Sequence, residues 1–215
     1  MKPFKSHRGI IAKVDRSNID TDQIIAKQFL KSIARTGFGP HLFYDWRYQP
    51  DGKPNPDFSL NQGRFKNASI LVAGNNFGCG SSREHAVWAI QQFGFQAVVA
   101  PRHKKVDGAE IPAFADIFKN NCSKNALLTL DLAEAEVLQI FSAIDSNVGL
   151  EATVDLEKQT LTLHTPKEMV FKFDVDASVK DRLLKGLDDI GITLKHEDEL
   201  RAFEAKHETQ ISLNG

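Results

Sequence analysis

Two short runs of the chain are apolar but for one residue each: ASILVA, residues 68–73, with Ser69, and FQAVVA, residues 95–100, with Gln96. Runs of this length with no alternation are the pattern of strands buried on both faces. Between them, REHAVWAIQQF sets Ala86, Ala89, Ile90 and Phe93 at i, i+3, i+4 and i+7, a single apolar stripe on a helix, and Gly94 supplies its stop. Strand, helix and strand at this spacing predict a βαβ unit with parallel strands and a right-handed crossover. RGIIAKV (8–14) predicts an earlier strand and DQIIAKQFLKSI (22–33) a helix. A later helix is expected over DLAEAEVLQIFSAI (131–144), where Asp131 and Glu134 stand three apart in a capping arrangement. LEATVDLEKQTLTLH (150–164) and VFKFDVD (170–176) alternate at period two, which predicts a small antiparallel set. Two helices, SVKDRLLKGLDDIG (178–191) and the highly charged EDELRAFEAKHE (197–208), follow. Between residues 35 and 65, prolines, glycines and Asn/Asp pairs break any period, so this stretch reads as a long irregular excursion. Its aromatics, among them Phe38, Phe43, Trp46 and Phe58, supply apolar surface that a solvated linker would lack.

The pattern therefore gives an α/β protein with a parallel βαβ core. We expect residues 1–149 to form one domain and residues 150–215 a C-terminal α+β extension packed on it. With 215 residues, 41% of them hydrophobic and 26% charged, the chain can bury a substantial core. Charge narrows the partners: 27 Lys and Arg against 28 Asp and Glu leave no basic surplus for a nucleic-acid backbone. No apolar run approaches the roughly 18 residues of a membrane span, and MKPFKSHRGI lacks the apolar centre of a signal peptide, so a cytoplasmic location is expected. Cys79 and Cys122, the two cysteines, are too few for a disulfide framework or a structural zinc site.

Candidate chemistry concentrates in GNNFGCGSSREH, residues 74–85, directly behind the first apolar run. In a parallel sheet, ligands bind where strand-to-helix loops leave the carboxyl ends of the strands. Glycines allow close approach of the backbone, the following helix N-terminus favours an anion, and Arg83 can grip a carboxylate with two parallel hydrogen bonds. The loop matches neither phosphate-binding glycine pattern, so nucleotide binding has weak support. Two other readings compete. Ser81 and Glu84 fit an S-x-x-E capping box, a structural role. Cys79 between glycines, with His85 nearby, resembles a cysteine nucleophile with its base, although no orienting third residue is evident.

NFGCGSSREHA (76–86) closely resembles the swivel-domain motif of the aconitase superfamily, and nearly the whole chain resembles the small-subunit family of 3-isopropylmalate dehydratases. The segments that carry this likeness are NIDTDQII (18–25), RTGFGPHLFYDWR (35–47), PNPDF (54–58), FADIFKNN (114–121) and GLDDIGITL (186–194). The resemblance implies a swivelling β/β/α domain and a hydro-lyase that interconverts 2-isopropylmalate and 3-isopropylmalate by dehydration and rehydration in leucine biosynthesis. It implies a 4Fe-4S cluster carried by a large-subunit partner, with no cofactor or metal bound by this chain, and a dicarboxylate substrate. Carried over by residue, Ser81 resembles the catalytic base and Asp22 an active-site aspartate that orients a neighbour, although Asp20 and Asp22 are both also readable as helix caps. Ser82 and Arg83 resemble substrate-carboxylate ligands. Arg35, Thr36, Gly37 and Phe38 fall in the segment that selects the substrate's variable arm. Related homoaconitase- or citraconate-type small subunits, and a carboxylate-binding module without chemistry, are the alternatives. The chain departs from the family pattern in an insert, HKKVDGAEIPA (103–113), expected as a loop after the second parallel strand at the same sheet edge as Ser81, and in LLTL (127–130), which lacks an expected proline.

Overall fold

The computed structural model describes residues 1–31, 34–81, 83–188, 191, 193 and 197–207. Its centre is a mixed eight-stranded sheet. Four strands are parallel: β1 (Ser6–Val14), β2 (Ile70–Ala73), β3 (Ala97–Lys104) and, beyond the short β4 (Glu110–Ile111), β5 (Leu128–Ala133). All four residues of β2 and the first five of β3 are buried, which is why their sequences show no alternation. β6 (Glu151–Asp155), β7 (Thr160–Leu163) and β8 (Met169–Lys172) form the expected antiparallel set, alternating between more and less buried positions along β6 and β7. They do not stand apart. Residues 6–10 of β1 pair antiparallel with β6, and residues 11–14 pair parallel with β2, so β1 joins both halves into one sheet.

The helices are α1 (Thr21–Ile24), α2 (Tyr44–Arg47), α3 (Glu84–Phe93), α4 (Asp116–Lys124), α5 (Glu134–Ser146), α6 (Ala177–Lys185) and α7 (Glu197–His207). α3 is the crossover of the predicted βαβ unit and buries Ala86, Val87, Ala89 and Ile90, while Phe93 packs partly buried against the core. Burying Val87 and Ile90 contributes about 1.5–3 kcal/mol each, which fixes the helix whose N-terminus borders the glycine-rich loop. α5 lies against β1, β3 and β5.

Four expectations need correction. The helix predicted over 22–33 is broken: α1 stops after one turn, and Ile25 is extended (φ −141°, ψ 116°) because it forms a bridge with Leu42. A 3-10 turn, Lys27–Lys31, follows, and residues 32 and 33 lie outside the described residues. The helix predicted from Asp131 begins at Glu134; Asp131 and Leu132 are strand residues paired with Ala100 and Pro101, and Glu136 rather than Glu134 accepts from the N-cap amide of Ala133 at 2.9 Å. The helix expected over 178–191 closes at Gly186, whose φ of +66° ends it, and residues 189 and 190 lie outside the described set. The insert at 103–113 is not an open loop. His103 and Lys104 prolong β3 and pair with Ile111 and Glu110, making a hairpin with Gly108 (φ +85°) in its turn. Among the described residues no helix is long and apolar enough to cross a membrane.

Candidate active site at the carboxyl ends of the parallel strands

β1 and β2 stop at Val14 and Ala73, but their hydrogen bonding continues into the loops beyond. Gly74 N–H donates to Arg16 O (2.8 Å), Asn18 N–H to Asn75 O (2.8 Å), Gly78 N–H to Ile19 O (2.7 Å) and Thr21 N–H to Cys79 O (3.0 Å). The Thr21 hydroxyl completes the series by donating to Ser81 O at 2.5 Å. The loop's other flank is laced to the return of the hairpin: Asn76 N–H donates to Pro112 O and Phe77 N–H to Ala113 O, both at 2.9 Å. The glycine-rich loop is thus fixed along both edges by backbone groups. Gly78 is required there, because its φ is +75° and a Cβ would lie 2.2 Å from Cγ of the buried Phe118 ring.

This lacing carries the NIDTDQII segment to Ser81 and Arg83. Asp20 is the cap of α1: its Oδ1 accepts from Gln23 N–H at 2.7 Å, and Gln23 Oε1 accepts from Asp20 N–H at 2.9 Å. Asp22 is thereby free of capping. Its Oδ1 accepts from Arg83 Nε at 3.0 Å, and its Oδ2 lies 3.2 Å from Lys27 Nζ. The side chains of Asp22 and Arg83 are about one third exposed, so the pair contributes about 0.2–1 kcal/mol and acts mainly by orienting the guanidinium. The other two nitrogens of Arg83 make no hydrogen bond among the described residues. Lys27 was not anticipated as a site residue, because a lysine five residues beyond Asp22 has no sequence signal until the chain turns at Ile25.

Ser81 is exposed, with its carbonyl held by Thr21 and its hydroxyl unbonded among the described residues. The capping-box reading of Ser81 is overturned. α3 begins at Glu84 with Arg83 as its N-cap and no side-chain cap, and Glu84 Oε1 instead accepts from Asn125 Nδ2 at 3.0 Å. The cysteine reading fares no better. Burial, and after it the Asp20 carboxylate, push the Cys79 thiol above its ordinary value and keep it protonated, while the His85 ring packs on Phe38 and Trp88. Ser82 lies outside the described residues.

The segment Arg35–Phe38 packs on the same helix. Phe38 is buried with its ring edge-on to His85 at 5.2 Å, so it supports the segment from beneath, whereas Arg35, Thr36 and Gly37 are exposed. The Arg35 guanidinium lies 5.7 Å from the Trp88 ring centre. No group of three or more metal-ligating side chains occurs among the described residues. Cys122 is wholly buried in α4, and Cys79 stands in the site loop. The groove between α4, β5 and α6, about 240 Å³, is lined by Lys119, Leu128 and Val179 among others and by none of these site residues. Gly80 and Ser81 are exposed.

Residues 1–135 match the model of the aconitase C-terminal domain, and residues 189–210 match that of the C-terminal domain of the 3-isopropylmalate dehydratase small subunit. The 3-isopropylmalate dehydratase small subunits of Desulforapulum autotrophicum and Leptospira interrogans are each 53% identical to the chain, covering 97% of it and 97% of the first, and 96% of it and 95% of the second. A solved 3-isopropylmalate dehydratase chain from Methanocaldococcus jannaschii, 24% identical, superposes with a TM-score of 0.63 over 93% of this chain and 99% of its own, which bears out the fold. By sequence over almost its entire length, the chain belongs to the family of 3-isopropylmalate dehydratase small subunits.

Proposed function

We propose that the chain is the half of a 3-isopropylmalate dehydratase that binds the substrate's carboxylates and supplies the base, closing over a large subunit that carries the 4Fe-4S cluster. The observation that carries this reading is the hydroxyl of Ser81, unbonded among the described residues, two positions before an arginine held by Asp22, which Lys27 also pairs. Interconversion of 2-isopropylmalate and 3-isopropylmalate takes a proton from one carbon and the hydroxyl from its neighbour, leaving a carbon–carbon double bond and water, and then adds a hydroxyl to the first carbon and a proton to the second. Ser81 is assigned the proton transfer. A serine is too weak a base unless its alkoxide is stabilised, and the uncapped first turn of α3 together with the two Arg83 nitrogens left unbonded among the described residues offer that positive potential. Arg83 and Ser82 are assigned to the carboxylates, Asp22 to holding Arg83, and the exposed Arg35, Thr36 and Gly37 above the Phe38 ring to the variable arm.

The cluster does not fit this chain. Its two cysteines cannot furnish three or four thiolates, and one of them is sealed in the core. The cluster therefore belongs to the partner in this reading, and the exposed Gly80 and Ser81 mark the face the partner covers. The purified chain alone is expected to show no turnover and no iron absorbance. Mixed with a cluster-loaded large subunit it should restore interconversion, assayed by the absorbance of the unsaturated intermediate. Turnover by the isolated chain would overturn the split-site assignment.

A further inference from the structure

The segment Arg35–Phe38 is a four-residue arch with an anchored end at each side. At its far end the backbone sits on the carboxyl-terminal turn of α3: a Cβ on Gly39 would lie 2.5 Å from Gln92 O and 2.9 Å from Phe93 N, so only glycine allows that approach. The other constraint is one side chain. Gln92 Oε1 accepts from Phe38 N–H at 2.8 Å, and Gln92 Nε2 donates to Arg35 O at 2.7 Å. A primary amide satisfies both bonds at once because it presents an acceptor and a donor side by side. Between these anchors Thr36 and Gly37 are exposed, and nothing lies within 4 Å of the Gly37 Cβ position. No hydrogen bond among the described residues reaches the backbone of Thr36 or Gly37.

The same helix carries Arg83 at its other end, about 13 Å along the axis from Gln92. From these placements we infer that Gln92 is a positioning residue for substrate selection: its amide sets the arch at a fixed height on α3 and so fixes the distance between the arm-reading loop and the carboxylate-gripping arginine. This rests on the assignment of Arg35–Phe38 to the variable arm and adds the residue that holds it in place. Gln92 itself touches no substrate. Freed from it, the arch keeps its glycine anchor but loses its set position, so the loss falls on substrates whose arm is large enough to need the arch.

The test uses the full chain assembled with its cluster-loaded large subunit and compares 2-isopropylmalate with 2-methylmalate. Gln92→Leu removes both hydrogen bonds. We expect it to lower the kcat/KM preference for the isopropyl arm at least tenfold, through a raised KM for that substrate, with kcat and the methyl substrate within about threefold. Gln92→Glu retains the acceptor for Phe38 but not the donor to Arg35, and should fall between. Hydrogen exchange at the Phe38 amide in the full chain gives a readout independent of turnover: it should quicken in Gln92→Leu and stay slow in Gln92→Glu. Equal loss on both substrates, or unchanged exchange at Phe38, overturns the positioning role. Thr36→Arg in the same panel separates the two failures. If it shifts the preference and Gln92→Leu does not, the clamp is wrong and the arm assignment stands; if neither does, the arm assignment itself falls.

Discussion

Ser81 illustrates how one backbone displacement changes the meaning of a side chain. Its residue type and its spacing to Glu84 satisfy a cap, yet α3 starts three residues later and, among the described residues, nothing bonds the serine hydroxyl. Removing an exposed, unpartnered hydroxyl should change stability by no more than about 0.5 kcal/mol. Removing a general base costs on the order of 10² to 10⁴ in rate. Ser81→Ala should therefore give an assembled complex with an unchanged melting temperature, a kcat lowered by at least 10², and a KM little altered because Arg83 remains paired to Asp22. Glu84→Ala is the control, since it breaks only the contact with Asn125 and should leave kcat within about threefold. Near-normal turnover by Ser81→Ala would remove the serine from the chemistry.

At the scale of elements, the site depends on two loops zipped together beyond the ends of β1 and β2, and glycine contributes in two separable ways. Gly78 has positive φ and contact with Phe118, whereas Gly108, at the hairpin turn, has positive φ (+85°) with nothing within 4 Å. Gly108→Ala should cost about 1 kcal/mol, the backbone term alone. Gly78→Ala adds overpacking against a buried ring and should cost about 2–4 kcal/mol in urea denaturation. Equal costs at the two positions would mean that the loop yields to Phe118 without consequence. The hairpin also shows why the insert is compatible with the family's fold: it leaves from the end of β3 and returns through Pro112 and Ala113 to the loop that it would otherwise adjoin directly.

For the whole molecule, β1 is the joint, and a single histidine reports on it. His7 lies in the part of β1 paired with β6, and its Nε2 meets Ser69 Oγ, one residue ahead of β2, at 2.7 Å. Burial lowers the His7 pKa from the ordinary value of about 6.5. As pH falls below that value, the unfolded chain takes up a proton that folded His7 does not, so stability drops until the lowered folded value is passed. The His7 contribution is thus complete above about pH 6.5 and declines on acidification. Urea midpoints at pH 7.5 and 5.5 should show a larger loss for the parent chain than for His7→Gln. Equal losses would mean that His7 does not couple the joint to pH.

The sequence by itself determined what depends on local pattern. Two runs apolar in all but one position and the stripe through Ala86, Ala89 and Ile90 marked a buried βαβ unit, because strands covered on both faces cannot alternate and a helix must bury one side. Period-two alternation marked β6 to β8 for the complementary reason. The motif around Ser81 and the segment containing Asp22 were legible through likeness to a family, since their residues are spaced along the chain as that family's are. What it left open was every contact between distant segments. Ile25 has helical neighbours but is pulled extended by Leu42, a bond no local propensity encodes. Asp131 reads as a cap and becomes a strand residue because β3 offers it an open edge. Which aspartate of DTD caps and which grips Arg83, whether Ser81 caps at all, and that Lys27 and Gln92 border the site were decided only when the loops after β1 and β2 bonded to each other and α3 received the arch at Arg35–Phe38. Those outcomes rest on backbone hydrogen bonds between residues about 60 apart in the chain, which follow from parallel pairing of strands and have no signature in the side chains they bring together.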